Sequence, residues 1–256
     1  MQIKSTASLL AIFTVLTAQS LRAEPPLKLK PLMAVPDQAV LQDDFSKQHE
    51  LKKGVWQARQ GTRWQIADGV LQGQQSSAEY QARKKDHFGY EARISIPVTP
   101  AEFVAEFSFR FIEGKENSIV PFIEFGHHVC RVRFSKNGAS LLSDHEVMKL
   151  AEAKDFVWES GKWYHALAEM QNGEFVFQIA DGPTLYAKRD SFKTETKSGG
   201  NGFGIADPRK GKVELDNMTI WTVKKEKQAG WEKRRTGFPA FEPVQVKKPK
   251  VKKPKA

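Results

Sequence analysis

The chain has 256 residues, a net charge of +10, 40% hydrophobic residues and one cysteine, Cys130. A single cysteine forms no internal disulfide, so a fold of this length must be held by a packed core. The basicity sits at the end: "VKKPKVKKPKA" (246–256) holds six lysines and no acid, and "KKEKQAGWEKRR" (224–235) sets six cations against two acids. The body before them is close to neutral, which excludes a nucleic-acid-binding fold with a basic face.

In chain order, Lys4 precedes an uncharged run from Ala7 to Ala18, and small and polar residues lead to Ala23. That is the layout of a secretory signal peptide (1–23) cleaved near Ala23, and the run is shorter than the ~20 apolar residues of a membrane span. The mature chain is therefore expected in the periplasm or outside the cell. Residues 24–38 carry four prolines and read as an extended leader.

From 39 to 223 the texture is short apolar alternation. "EFVAEFSFRF" sets Phe103, Ala105, Phe107, Phe109 and Phe111 against Glu106, Ser108 and Arg110. "HVCRVRF" opposes Cys130, Val132 and Phe134 to Arg131 and Arg133, and "WYHALAEM" opposes Tyr164, Ala166 and Ala168 to His165 and Glu169. Period two over such runs predicts half-buried antiparallel strands. "SKNGAS" and "MQNGEF" supply Asn-Gly hairpin turns, and "IADG" occurs twice. Many short strands in one domain predict an all-β sandwich of two antiparallel sheets. Residues 144–158 are the one stretch of the body read as holding a short helix. A C-terminal extension (224–245) is expected to pack Trp231 onto the body, and the Lys/Pro tail (246–256) buries nothing and is expected to be disordered.

The stretch "IEFGHHVCRVRF" (123–134) has the residue types of a metal site. Alternation sends His127 and His128 to opposite faces, however, and no second cysteine completes a zinc site, so Cys130 reads as a buried small hydrophobe. If the strands lie in one sheet, Glu106, Ser108, Arg110, His127, Arg131, Arg133, His165, Glu169 and Gln178 share a polar face, with Glu124 beside them. Two uses of that face stand open. As a binding face, Glu106, Arg110, His127, Arg131, Arg133 and Gln178 hold sugar hydroxyls or acidic groups, with Trp158 or Tyr80 as a stacking platform. As an active site, Glu124 or Glu169 is acid or base with His165 as proton partner. No cofactor is expected beyond a structural calcium between Asp44 and Asp216.

Three segments carry a resemblance: "LQDDFSK…GVWQARQGTRWQIADGVLQGQ" (41–74), "GKWYHALAEMQNGEFVFQIADGPTLYA" (161–187) and "GNGFGIADPRKGKVELDNMTIWTV" (200–223). Together they resemble concanavalin A-like jelly-roll domains, and more narrowly the secreted 3-keto-disaccharide hydrolase-like and laminin G-like domains of planctomycete-type bacteria. The resemblance implies a jelly roll over 39–223 whose concave sheet is the customary ligand face. Laminarinase-like relatives carry an acidic catalytic strand; here "ELDNMT" (214–219) keeps Glu214 and Asp216 but has Met218 and Thr219 where the last acid belongs.

The expected function is a secreted or periplasmic carbohydrate-binding domain. The alternatives are a hydrolase or lyase acting on a modified glycoside, and a non-catalytic envelope or adhesion domain. The expected partner is a glycan, with an anionic envelope surface as a further partner for the tail.

Overall fold

The computed structural model describes residues 29–47, 51, 55–96, 99–113, 120–126, 129–143, 147–193 and 202–246. Within them, β1 (Ala34–Asp43), β2 (Gln57–Ala58), β3 (Arg63–Ala67) and β4 (Val70–Gln74) precede a short helix, α1 (Ala78–Ala82). Then come β5 (Arg93–Ile96), β6 (Phe103–Ile112), β7 (Phe122–Phe125), β8 (Cys130–Ser135), β9 (Gly138–Ser143) and β10 (Met148–Ala153). The second half holds β11 (Tyr164–Gln171), β12 (Glu174–Ile179), β13 (Thr184–Lys188), β14 (Phe203–Ala206), β15 (Lys212–Lys227), α2 (Trp231–Arg235) and β16 (Val244–Gln245).

The strands form two antiparallel sheets of eight. The first runs β13-β12-β11-β6-β15-β4-β3, and the second β16-β10-β9-β8-β7-β14-β5-β2. β15 pairs with β6 along one side and is long enough to serve two strands along the other. Its start (Lys212–Leu215) pairs β4, and its later part (Met218–Lys227) pairs β1, the opening strand.

Hairpin chemistry explains the meanders. Asp68 (φ 56) and Gly69 (φ 75) join β3 to β4, and Asn172 (φ 52) and Gly173 (φ 76) join β11 to β12. Two successive positive φ values make the tight turn whose twist matches the flanking strands, which is why Asp-Gly and Asn-Gly stand there.

Between the sheets lies a phenylalanine core. Phe107, Phe109 and Phe111 from β6 are fully buried and meet Phe125, Phe134 and Phe203 of the second sheet at ring separations of 5.1–6.5 Å. Each such ring contributes roughly 1.5–3 kcal/mol by leaving water. Cys130 is buried in this core as a small hydrophobe.

The stretch 144–158 gives a strand rather than a short helix over Met148–Ala153, because β10 extends the β8–β9 meander by pairing with β9. The expected segment limits at 38/39 and 223/224 fall inside β1 and β15. Among the described residues, no helix is long and apolar enough to cross a membrane.

Candidate functional site

The outer face of the second sheet holds a concentrated charge cluster. Register sets Glu124 on β7 opposite Arg131 on β8 and Gly204 on β14, and Ala206 on β14 opposite both Phe122 and Arg93. The Glu124 side chain is 1% exposed, although it points away from the core. Arg93 Nη2 donates to its Oε1 at 2.9 Å, and Arg131 Nη2 donates to its Oε2. Both guanidinium groups also lie over the Phe122 ring, at 5.4 Å for Arg93 and 4.2 Å for Arg131. Arg133 is on the same face, one pair along, opposite Phe122 and Ser140.

The cluster is an acid clamped between two planar cations on an aromatic base. Burying a carboxylate this completely is costly unless it is paired, and here two planar guanidiniums flank it. The arrangement suits planar, bidentate recognition of hydroxyl pairs or acid groups.

The outer face of the first sheet is divided. One part is covered by the chain's own ends. Glu169 on β11 accepts hydrogen bonds from the backbone amides of Leu32, Met33 and Ala34 at 2.8, 2.8 and 2.7 Å. Gln178 on β12 donates to the Lys30 carbonyl at 3.2 Å. Glu174 takes a hydrogen bond from the Tyr186 hydroxyl at 2.7 Å and pairs with Lys227 and Arg235. Gln228 donates to the carbonyls of Met33 and Ala34 (2.7 and 3.0 Å), tying the two terminal segments to each other. Beneath them Met33, Val176 and Trp231 form a separate apolar cluster. Burial pushes the Glu169 carboxyl above its ordinary range despite its three amide donors. Burial also acts to raise Glu174, but hydrogen bonds from Lys227 and Tyr186 outweigh it, and its pKa is lowered.

The other part is a polar strip. Ser108 sits between His165 and Asp216 in register, and Glu106 sits between Leu167 and Thr219. His165 links Glu106 (Nε2 to Oε1, 2.9 Å) to Ser108 (Nδ1 to Oγ, 3.2 Å). Arg110 pairs with Glu214 and lies 4.8 Å over the Trp163 ring.

The residues expected on one face are thus split between two. Glu106, Arg110, His165, Glu169 and Gln178 lie on the first sheet; Glu124, Arg131 and Arg133 lie on the second. The physical reason is that alternation separates inside from outside but is identical for the two sheets of a sandwich. The expected acid–base pair is separated with them, since Glu124 and Glu169 face away from each other across the core. Glu169 and Gln178, expected to meet a ligand, instead hold the leader. His127 lies outside the described residues, as do the signal segment and the lysine tail. Trp158 packs edge-on against Phe111, and Tyr80 sits against Gly61 with Lys84 over its ring, so neither accompanies the charged cluster. Asp44 Oδ1 accepts the Ser46 amide and Asp216 Oδ1 the Asn217 amide, and among the described residues no three His, Cys, Asp or Glu side chains are grouped to hold a metal. Sequence reasoning passed over Arg93; the signal was there in "ARISI", where Arg93 and Ser95 alternate with two isoleucines.

No protein-family model matches the sequence, and no curated protein matches it. Solved structures do match in shape. A galectin-like protein of unknown function from Bacillus subtilis superposes with a TM-score of 0.54 at 10% identity, over 74% of this chain and 98% of that one. A structure from work on the endo-acting O-glycanases with which human gut microbiota initiate mucin breakdown gives 0.51 at 9% identity, over 73% and 100%. The β-glucanase of Bacillus licheniformis overlaps less well, at 0.47 and 8% identity over 73% and 99%. The chain is a two-sheet antiparallel jelly-roll sandwich of the galectin-like, concanavalin A-like architecture.

Proposed function

We propose that the protein is an exported carbohydrate-binding domain whose ligand face is the outer face of the second sheet, with Arg93, Arg131 and Arg133 as donors and Glu124 as the group that orients them. The observation that carries this reading is the buried Glu124 carboxylate held between two guanidiniums over Phe122. A sheet face needed only for solubility has no use for a desolvated ion cluster. The opposite face supports the assignment by contrast, because the leader and the C-terminal extension occupy much of it. Export rests on the segment ending near Ala23. The tail's attraction to an anionic envelope surface stays with this reading as an expectation, as does a calcium at Asp44 and Asp216.

The test is oligosaccharide binding by the full chain, screened on an array and measured by calorimetry. Arg93→Ala and Arg131→Lys are each expected to weaken binding about tenfold or more, roughly 1.4 kcal/mol. Lysine keeps the charge of Arg131 and loses its planar fork, so a retained fold, with a loss of binding larger than any loss of thermal stability, is the expected signature. Binding that survives both changes, or an array with no ligand, sinks the assignment.

A second reading, favoured by the Glu106–His165–Ser108 chain, follows the narrower likeness to 3-keto-disaccharide hydrolase-like domains. In it Glu106 orients His165, and His165 exchanges a proton with a glycoside. Turnover of a 3-keto-glycoside that disappears in His165→Ala and survives Arg131→Lys would select this reading over simple binding.

A further inference from the structure

A cleft of about 220 Å³ opens where the C-terminal extension crosses from the edge of the first sheet to the edge of the second. That is the volume of roughly seven waters, enough for one sugar ring and not for a chain. Its wall on the first sheet is the end of β13, with Tyr186, Lys188 and Arg189, and its far wall is the segment 235–243, with Arg235, Phe238 and Phe241. Three cations line it, and no lining residue is acidic.

The aromatic side is built rather than incidental. Tyr186 and Phe238 stack at 5.1 Å with planes 21° apart, and Trp231 packs edge-on against Tyr186 at 5.7 Å. Tyr186 is also fixed through its hydroxyl, bonded to Glu174. Arg235 shares its charge with Glu174 and Glu232, so it positions the wall more than it offers charge. Lys188 is exposed at the rim. The chain leaves this cleft through β16, which pairs with β10, and Val246 N donates to the Val147 carbonyl at 2.8 Å. In sequence, six lysines follow Val246.

We propose that this cleft is a second binding site, for one anionic sugar residue of an acidic polysaccharide. Its ring rests against Phe238 and Phe241, and its acid group is held by Lys188 and Arg189. Aromatic faces bind the apolar side of a pyranose, and clustered cations select the charged one among otherwise similar sugars. The site lies at the sandwich edge, away from Arg93, Glu124 and Arg131, and it stands or falls independently of the ligand face proposed above.

The test titrates the full chain with trigalacturonate and, separately, with its neutral methyl ester, which has the same rings without the charge. Trigalacturonate is expected to bind about tenfold or more tightly than the ester at low salt, and the gap is expected to shrink as salt rises. Lys188→Gln combined with Arg189→Gln should close the gap while the melting temperature holds. Equal binding of acid and ester, no binding at millimolar ligand, or a gap that survives the double substitution each overturns the site. A gap that survives the double substitution and vanishes on removal of residues 247–256 overturns it too, by assigning the anion to the tail.

Discussion

Glu169→Ala is expected to lower the free energy of unfolding by about 3 kcal/mol and to free the leader for proteolysis, without touching the ligand face of the second sheet. The carboxylate collects three consecutive backbone amides, from Leu32, Met33 and Ala34. Alanine removes the acceptor of all three amides, of which those of Met33 and Ala34 are buried. The cluster of Met33, Val176 and Trp231 loses its lid at the same time. Because Gln228 and Arg234 also hold carbonyls of this segment, the C-terminal extension is expected to loosen with it. Urea unfolding gives the stability, and limited thermolysin digestion, cutting between Leu32 and Met33, reports the release. Glu169→Gln keeps the shape and one acceptor and should fall between the two. The result also separates roles. A catalytic Glu169 would give a Gln variant that unfolds like the parent and has lost only turnover; that outcome would remove the structural assignment.

The outcome for Glu169 illustrates what could be read from the sequence. The phenylalanines of β6 and the Asn-Gly and Asp-Gly turns declared strands, inward faces and hairpins directly, because period two and positive φ are local properties. Cys130 fell into the core for the same reason. Which sheet each strand joins is not local. β6 pairs with β11 in one sheet while β7, next in the chain, lies in the other. Glu124 and Glu169 therefore looked like partners in sequence and sit back to back in space. The covering of Glu169 was also hidden, since backbone amides of the proline-rich leader leave no side-chain signature. Arg93 was missed because its strand has only four residues, too short for alternation to stand out. The cleft beside β13 depends on a contact between Tyr186 and Phe238, more than fifty residues apart, which no periodicity announces.

Asp207→Asn is expected to stabilise the fold, by an amount that grows as pH rises from about 4 toward 9. Asp207 follows β14 and is fully buried; its Oδ1 accepts the Ala92 amide at 2.7 Å, and its Oδ2 has no hydrogen-bond partner among the described residues. Burial, against the opposing effect of the Ala92 hydrogen bond, pushes the carboxyl up to about 9, with the charge of Glu91 adding to the rise. The folded state thus keeps a proton that the unfolded chain releases near its ordinary carboxyl pKa. Native protein binds more protons across that window, so stability is fully present below the unfolded value and is lost as pH climbs through the folded one. Each pKa unit of difference corresponds to about 1.36 kcal/mol between the two protonation states. Asparagine retains the acceptor for Ala92 and carries no titrating proton. Its melting temperature should match the parent near pH 4 and exceed it by a widening margin toward pH 8.5. Parallel curves, or an asparagine variant that loses ground at high pH, would mean that Asp207 is held ionised by a partner, and the neutral-carboxyl account would fail. The measurement is two sets of thermal melts across the same buffers. It bears on the ligand face as well, because Asp207 directly follows Ala206, the residue of β14 that lies opposite Phe122 and Arg93. In the folded protein that carboxyl ionises only near 9, so parent and asparagine variant are expected to bind sugar alike from pH 4 to about 8 and to differ only above that.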